Sequence, residues 1–346
     1  MDALEIVDEF GADALRFTLT QMAALGGVLK LSEDRIKGYR NFGTKLWNAT
    51  RFAEMNEVYA NGAPTKDIPQ PTQTVNKWIV AETARARIAF DNALDQYRFN
   101  DAANGLYAHI WGVLCDWYIE FAKPLLDGDG DAKAETQATM AWALDQAIIL
   151  IHPIMPFITE ELWSLTGTRA KPLIHADWPT YGEEYFDADA SDEMNWVIGV
   201  IEQIRSVRSE MNLNAGAKTA LIVAEIDETA QGRLDRNAPL IQRRARVETI
   251  EHAPVGKGAV TLSVPGAVMA LPLAEFVDIE AEKKRLDKAM QKIAKDIGGL
   301  KGKLGNEKFL ANAKAEVVEE QKERLVAAEA EAAKLEAALA RLAGLA

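Results

Sequence analysis

Two heptad repeats near the C-terminus limit the fold more than any other feature of this chain. Between 279 and 304, apolar residues recur at alternating spacings of four and three, at Leu286, Met290, Ile293, Ile297, Leu300 and Leu304. A second seam follows at Val318, Leu325, Ala328, Ala332, Leu335, Leu339 and Leu342. Helices bury such seams against one another. Because a short polar break at 305–313 separates the seams, we expect an antiparallel coiled-coil hairpin, with a long parallel dimer as the alternative.

Upstream, residues 1 to about 166 follow the helical period and predict an antiparallel helical bundle. A Pro-rich stretch at 62–74 and a turn at 127–134 interrupt the pattern. Ser32 and Thr159 are the predicted N-caps of the helices that follow them, because hydroxyl oxygens accept hydrogen bonds from the free backbone N–H groups of a first turn. The main predicted helices span 33–60, 75–97, 103–126, 135–151 and 160–165.

The pattern changes between the bundle and the coiled coil. Short aliphatic and β-branched stretches predict strands at 219–226, 247–252, 259–264 and 268–273. Helices are expected at 191–211 and 228–244. The predicted fold is therefore mainly α, with an antiparallel helical bundle, a small α+β domain and a C-terminal antiparallel coiled-coil hairpin.

The composition is typical of a globular protein in a reducing compartment. The chain has 346 residues, of which 48% are hydrophobic and 26% charged, and no apolar run is long enough for a membrane helix. Its N-terminus lacks the basic and apolar regions of a signal peptide. The one cysteine, Cys115, lies in an apolar run and is expected to be a buried thiol. These features predict a cytoplasmic location and no membrane partner.

No pattern of catalytic or metal-binding residues is present in the sequence. It contains neither a GxxxxGK[ST] loop nor a GxGxxG turn, so no phosphate-binding loop is expected. The four histidines are scattered without metal-ligand spacing. His152, beside a proline at a helix end, is expected to be a packed or capping residue. We therefore assign no catalytic residue, metal ligand or cofactor to this chain.

One segment stands out against the net charge of −13, which on average repels phosphate-rich partners. Residues 35–53 contain five basic residues and no acidic one. If Phe42, Leu46, Ala49 and Ala53 form the core side of a helix, the opposite side is a band of Lys37, Arg40, Asn41, Lys45, Asn48 and Arg51. Cations, amides and the aromatic residues Tyr39, Trp47 and Phe52 suit unstacked RNA. A solvated basic face is the alternative.

The first heptad helix is also basic, with eight basic and four acidic residues in 279–304. Its lysines, including Lys284, Lys288, Lys292 and Lys295, could lie along a phosphate backbone without reading sequence. Ordinary coiled-coil surface charge is the alternative. The helical segment 205–213 (RSVRSEMNL) is a further candidate RNA contact.

Four separated motifs resemble one family. Residues 35–52 (RIKGYRNFGTKLWNATRF) and 150–163 (LIHPIMPFITEELW) resemble the anticodon-binding helical domain of the class I synthetases for valine, isoleucine and leucine. The opening 5–19 resembles the segment after the KMSKS loop of those enzymes. The tail 304–325 is similar to the bacterial valyl-tRNA synthetase family in particular. One departure is that many members have a proline after the alanine where this chain has Ala313-Lys314.

The resemblance implies a tRNA-binding C-terminal region of a ligase that joins valine to tRNA(Val) with ATP and Mg²⁺. The HIGH and KMSKS signatures do not occur in the chain, so we expect a fragment that does no chemistry, is monomeric and binds no DNA. The implied domains are a connector (1–34), the anticodon-binding bundle (35–185), the small α+β domain (186–277) and a tRNA-binding arm (278–346).

The resemblance also implies which side chains contact tRNA. On the bundle they are Lys37, Arg40, Asn41, Lys45, Asn48, Arg51 and Phe52, with cations on phosphates, amides on base edges and Phe52 stacking. On the arm they are Lys284, Lys288, Lys292 and Lys295. Two alternatives stay open: the same region of an isoleucyl- or leucyl-tRNA synthetase, although a single cysteine excludes the zinc-binding cluster with which isoleucine enzymes usually end, or a coiled-coil interaction module that binds no RNA.

Overall fold

Helices make up most of the computed structural model, which describes residues 3–23, 31–60, 62, 67–274, 276, 279–306 and 315–343. The chain divides into two compact units, Met1–Met194 and Asn195–Ala346. The many helices and the small sheet confirm the prediction of a mainly α fold.

The first unit is an all-helical bundle. Its helices are α1 (Ala3–Phe10), α2 (Ala12–Met22), α3 (Glu33–Met55), α4 (Thr74–Asp95), α5 (Phe99–Tyr107), α6 (Ile119–Leu126), α7 (Gly130–Ile151) and α8 (Pro156–Leu165). A π-helical segment, Ala108–Tyr118, joins α5 to α6 without a break. Short 3₁₀ turns lie at Leu173–His175 and Glu183–Tyr185. The helix α9 (Ala188–Glu210) begins in this unit and continues into the second one.

Helices α4 and α7 form the centre of the bundle, and a polar network joins them. The Tyr118 hydroxyl donates to Asn76 Oδ1 at 3.0 Å, and Asn76 Nδ2 donates to Glu135 Oε1 at 2.9 Å. Glu135 also accepts the backbone N–H groups of Thr72 and Gln73. Partial burial raises the pKa of Glu135, but these hydrogen bonds outweigh it and leave the pKa below its ordinary value. The network satisfies polar groups that would otherwise be buried without partners.

The helix α3 has the predicted core side but a different end. Phe42, Leu46 and Ala53 are completely buried, and Ala49 is 6% exposed, which confirms the predicted stripe. The helix ends at Met55, five residues before the predicted position. Asn56 Nδ2 donates to the Phe52 carbonyl at 2.8 Å, and this bond caps the last turn. Ser32 does precede the helix as predicted, but its side chain makes no capping hydrogen bond.

The start of α8 differs from the prediction that Thr159 caps it. The helix begins at Pro156, and Thr159 lies inside it with its hydroxyl donating to the Met155 carbonyl at 2.7 Å. The cap is Asp13 from α2, whose carboxylate accepts the backbone N–H groups of Phe157 at 3.2 Å and Ile158 at 2.7 Å. Proline suits the first helical position because it has no N–H to satisfy. His152 packs as predicted, with Nδ1 2.8 Å from the Thr159 hydroxyl.

The predicted helix 103–126 lies within one continuous helix that begins at Phe99, ends at Leu126 and has a π-helical centre. The Ile119 N–H bonds to the carbonyl of Leu114, five residues earlier. Cys115 in this segment is 6% exposed, and burial raises the pKa of its thiol to about 12, which confirms the predicted buried thiol. His109 is also buried, and Thr83 Oγ1 lies 3.3 Å from its Nε2.

The second unit contains a four-stranded sheet in the order β2-β1-β4-β3. Its strands are β1 (Thr219–Ile226), β2 (Val247–His252), β3 (Ala259–Val264) and β4 (Ala267–Pro272), with α10 (Glu228–Ala245) between the first two. Strand β1 pairs in parallel with β2 and antiparallel with β4. The Asp227 carboxylate accepts the Ala230 N–H at 2.8 Å and caps α10. These elements confirm the predicted α+β architecture.

The coiled-coil arm consists of α11 (Ile279–Leu304) and α12 (Ala315–Ala343). The two helices pack against each other within one chain, which confirms the predicted hairpin. Its buried seam includes Leu286, Leu300, Ala328, Ala338 and Leu342. Lys301 Nζ lies 2.8 Å from Glu329 Oε1 across the pair. The rest of the predicted loop, 307–313, and the Ala313-Lys314 departure lie outside the described residues.

Candidate nucleic-acid interface

The predicted polar band is a continuous feature of the α3 surface. Asn41, Thr44, Asn48 and Arg51 follow one another at spacings of three, four and three residues, so they lie on one side of the helix, and all four side chains are exposed. The residues of the buried stripe occupy the opposite side. This geometry leaves the band accessible along about four turns of α3, from Lys37 to Arg51.

Three residues of the band are available for a ligand. Within the described part of the chain, Asn41, Asn48 and Arg51 make no side-chain hydrogen bond or ion pair. An exposed amide offers both a donor and an acceptor, and a guanidinium offers five N–H donors. These three side chains can therefore bind base edges and a phosphate without first breaking a contact inside the protein.

The two N-terminal cations of the band contact Phe10 of α1. Lys37 Nζ lies 5.9 Å from the centre of the Phe10 ring and 4.0 Å from Glu33 Oε2. The Arg40 guanidinium also lies 5.9 Å from the Phe10 ring centre. The exposed ion pair of Lys37 with Glu33 and the contacts of both cations with the Phe10 ring are weak, so both cations can turn toward a phosphate at little free-energy cost. Lys37 is partly buried, and Arg40 is exposed.

Lys45 differs from its neighbours because it already has a carboxylate partner. Its Nζ lies 2.6 Å from Asp116 Oδ1 and 5.1 Å from the centre of the Trp111 ring. Both partners belong to the π-helical segment, so Lys45 ties α3 to that segment. A contact between Lys45 and a phosphate stays a prediction. In the structure, the Asp116 carboxylate competes with phosphate for Lys45.

Phe52 was expected to stack on a base, and the structure shows where it lies. Its side chain is partly buried, and Lys123 Nζ lies 5.5 Å from the ring centre. One face of the ring is thus occupied by a cation of α6. Tyr39 and Trp47, the other aromatic residues of the segment, are also partly buried. Burial raises the pKa of Tyr39, and the nearby Tyr107 adds to this effect.

The arm presents its predicted lysines to solvent. Lys284, Lys288, Lys292 and Lys295 are all exposed on α11, and no ion pair is found for them within the described residues. They rise along the helix at spacings of four, four and three residues. Such a row of lysines can follow a nucleic-acid backbone, because the phosphate groups also recur along a line.

The structure contains a second group of cations that the sequence did not predict as a group. Arg205 and Arg208 on α9 and Arg244 and Arg246 at the end of α10 line one cavity of about 340 Å³. Arg205 and Arg208 belong to the segment 205–213, which is a candidate RNA contact from the sequence. Arg244 and Arg246 lie about 40 residues away from them in the sequence. Only the fold places the four side chains together.

The described residues also bear on two other classes of site. Among the residues that the structure describes, no group of three or more His, Cys, Asp or Glu side chains could hold a metal ion. The described helices include none that combines the length and apolar character needed to cross a bilayer.

Family comparisons match the chain in two places. Residues 76–224 match the anticodon-binding domain of tRNA ligase, and residues 278–343 match the valyl tRNA synthetase tRNA binding arm. The helix α3 lies before the first match, so that comparison does not test the band. The second match covers α11 and α12 completely.

Whole-chain comparisons agree with these matches. The valine–tRNA ligase of Ruegeria pomeroyi is 59% identical over 350 residues, which cover 100% of this chain and 34% of that protein. The enzyme of Cereibacter sphaeroides is 54% identical, and covers 100% of the chain with 35% of its own length. The enzyme of Caulobacter vibrioides is 48% identical, and the alignment covers 100% of this chain and 38% of that enzyme.

The chain spans about a third of the length of the curated relatives it matches. These relatives are valine–tRNA ligases, and the arm match names the same family. The comparisons therefore favour the valine enzyme over the isoleucine and leucine alternatives. The chain therefore belongs to the valine–tRNA ligase family and corresponds to the C-terminal part of its members, with their anticodon-binding domain and tRNA-binding arm.

Proposed function

We propose that this chain binds tRNA(Val) as part of an enzyme that joins valine to that tRNA with ATP. The observation that carries the proposal is the presence, in one chain, of matches to an anticodon-binding domain and to a tRNA-binding arm. The accessible band on α3 and the exposed lysines of α11 supply positive charge in a chain whose net charge is −13. Basic surfaces of this kind are the electrostatic footprint of nucleic-acid binding.

The two surfaces have different roles in this proposal. The bundle, residues 35–185, holds the anticodon stem-loop against α3, where Asn41 and Asn48 reach base edges and Arg51 reaches a phosphate. The arm, residues 278–346, supports the outer corner of the tRNA through its lysines. Amides can distinguish bases because they donate and accept, whereas lysines bind any phosphate. Specificity should therefore reside on α3 and sequence-independent affinity on the arm.

The ligation step itself is assigned to no residue of this chain. The described residues contain no candidate metal-binding group, and the sequence contains no Gly-rich phosphate-binding loop. No residue of this chain is proposed to bind ATP or Mg²⁺.

The proposal includes a monomeric, cytoplasmic protein. The coiled-coil seam is buried between α11 and α12 of the same chain, so it does not need a second copy. The cysteine is buried as a thiol, in keeping with a reducing compartment. Sedimentation equilibrium over a range of concentrations tests the first point, with a constant mass near 38.0 kDa expected.

Filter binding tests the proposed partner. The chain is compared with tRNA(Val), with the same tRNA carrying a changed anticodon, and with tRNA(Ile), each at two salt concentrations. The tightest binding is expected for unaltered tRNA(Val), because α3 would read its anticodon. Equal, salt-sensitive binding to all three would assign specificity elsewhere. The absence of binding at low salt would contradict the proposal.

A pair of variants tests the band itself. If the five basic residues of 35–53 neutralise phosphates, they should contribute about −3.5 to −4.5 to the slope of log affinity against log salt, and the arm lysines should add to it. Arg51→Ala should make that slope shallower by about one. Arg98→Ala is the control, since it removes the same charge from the exposed start of α5, where Arg98 pairs with Asp101. Equal effects of the two variants would contradict a role for the band.

A further inference from the structure

A cavity of about 340 Å³ in the second unit is lined by four arginines and by no acidic residue. It lies where the last turns of α9 and α10 approach the first residues of β1 and β2. Arg205 and Arg208 come from α9, and Arg244 and Arg246 from the end of α10 and the residue after it. Carbonyl groups at helix ends attract cations, so some of this charge is expected in any protein.

Arg208 is not fully satisfied by the protein. Its side chain is only 8% exposed. Nη2 donates to the Ala217 carbonyl at 2.6 Å, but Nη1 is buried and has no hydrogen-bond partner within the described residues. Burial lowers the pKa of Arg208, and repulsion from Arg246 adds to this effect. A buried donor without a partner is costly, so the protein does not fully compensate the Arg208 guanidinium.

Arg246 is held at the rim by its backbone. It has φ 57° and ψ 43°, a left-handed conformation. Its N–H donates to the Gln242 carbonyl, and its own carbonyl accepts the Thr219 N–H at 3.2 Å. The backbone is therefore fixed on both sides, while the side chain is exposed and has no ion-pair partner among the described residues. No acidic residue of the cavity lining offsets the repulsion between Arg246 and the buried Arg208, so an anion between them would relieve it.

We infer that this cavity binds a phosphate group of the RNA backbone. Two guanidinium groups can bind the oxygens of one phosphate through charge-assisted hydrogen bonds, which are stronger than neutral ones. The open rim suits a phosphate that belongs to a longer strand. The inference rests on the proposed function and adds a contact in the α+β domain, separate from the α3 band and the α11 lysines.

Arg246→Asn is the decisive variant, because asparagine tolerates the left-handed backbone that Arg246 occupies. Arg233→Ala is the matched control. It removes the same charge from α10, eleven residues or roughly 17 Å before Arg244 along the helix. In filter binding with tRNA(Val), Arg246→Asn should weaken affinity about fivefold to tenfold at 0.1 M salt and make the salt slope shallower by about one. Indistinguishable behaviour of the two variants would overturn the inference.

A second measurement separates this site from the proposed function. Inorganic phosphate is titrated into the isotope-labelled chain, and the amide signals of Arg246 and Val247 are followed by NMR. Shifts that occur in the unaltered chain and are absent in Arg246→Asn support the anion site, even if tRNA(Val) does not bind. No shift at either position overturns it. Shifts with phosphate, combined with equal tRNA affinity for both variants, overturn the assignment to RNA.

Discussion

Lys45 Nζ lies 2.6 Å from Asp116 Oδ1, so one cation of the α3 band is already paired with a carboxylate of the π-helical segment. The side chains are 33% and 43% exposed, respectively, so solvent screens the pair and its contribution to stability is about 0–1 kcal/mol. Arg51, three residues after Asn48 on the same side of α3, has no such partner in the described chain. The two cations are therefore not equivalent toward RNA.

Asp116→Asn should strengthen tRNA binding, because it frees Lys45 for phosphate. We expect an increase in affinity of about twofold to threefold and a steeper salt slope. In the same assay, Lys45→Met should weaken binding less than Arg51→Ala does. Fluorescence anisotropy at four salt concentrations measures both effects. Equal losses for Lys45→Met and Arg51→Ala would show that Asp116 does not compete with phosphate.

The buried pair of Arg169 and Asp145 should be sensitive to loss of its cation. Arg169 donates to both carboxylate oxygens at 2.6 and 2.9 Å, and the two side chains are 9% and 5% exposed. Arg169→Met would leave Asp145 buried without a counter-charge and should cost about 3–5 kcal/mol of unfolding free energy. Urea denaturation followed by circular dichroism measures this loss.

The pH dependence of that loss provides its own check. Burial raises the pKa of Asp145 to about 6, against the opposing effect of Arg169. Without Arg169 the carboxyl should bind a proton still more readily, so the deficit of Arg169→Met should be largest above pH 7 and smaller at pH 5. The double variant that also carries Asp145→Asn should recover part of the stability. A deficit that does not change with pH would contradict this explanation.

His109 should make the bundle acid-sensitive. Burial lowers its pKa from 6.5 to about 4, so the unfolded chain binds a proton at a higher pH than the folded chain does. Its contribution to stability is complete above about pH 6.5 and is lost as the pH falls toward 4, by about 3 kcal/mol in all. The difference in unfolding free energy between the chain and His109→Gln, measured at several pH values, isolates this term. A constant difference would contradict it.

The Asp13 cap should stabilise the first turn of α8 locally. Its carboxylate accepts the Phe157 and Ile158 N–H groups, so Asp13→Ala should cost about 1 kcal/mol. Hydrogen exchange should become faster at these two amides in particular. Asp13→Asn is the control, because asparagine also caps helices and should retain most of the protection. Unchanged exchange in Asp13→Ala would show that another group caps the helix.

Periodicity was sufficient to predict most of the elements and several of their buried sides, although α7 begins at Gly130, inside the predicted turn 127–134, and α3 ends early at Met55. The stripe Phe42, Leu46, Ala49 and Ala53 follows from spacing alone, because a helix that buries one side must repeat its apolar residues every three or four positions. The hairpin of α11 and α12 follows from the heptads for the same reason. These features are local in sequence, so they can be read from it directly.

Contacts between distant residues could not be predicted in this way. Asp13 caps a helix that begins 143 residues later, and Lys45 pairs with a residue 71 positions away. Periodicity shows that a side chain is exposed or buried, but it does not show which element lies beside it. The sequence therefore predicted Lys45 as a free cation, and it predicted Thr159 as a cap although the true cap comes from α2.

The π-helical segment Ala108–Tyr118 bears on how the bundle can change in length. Its hydrogen bonds reach back five residues, as from Ile119 to Leu114, one more than in an α-helix. Deletion of one residue here, such as the partly exposed Gly112, can be absorbed by a return to α-helical hydrogen bonding. The same deletion in α3 would rotate the buried stripe away from the core. Natural deletions of one residue within the bundle should therefore be tolerated at this segment and rejected in α3.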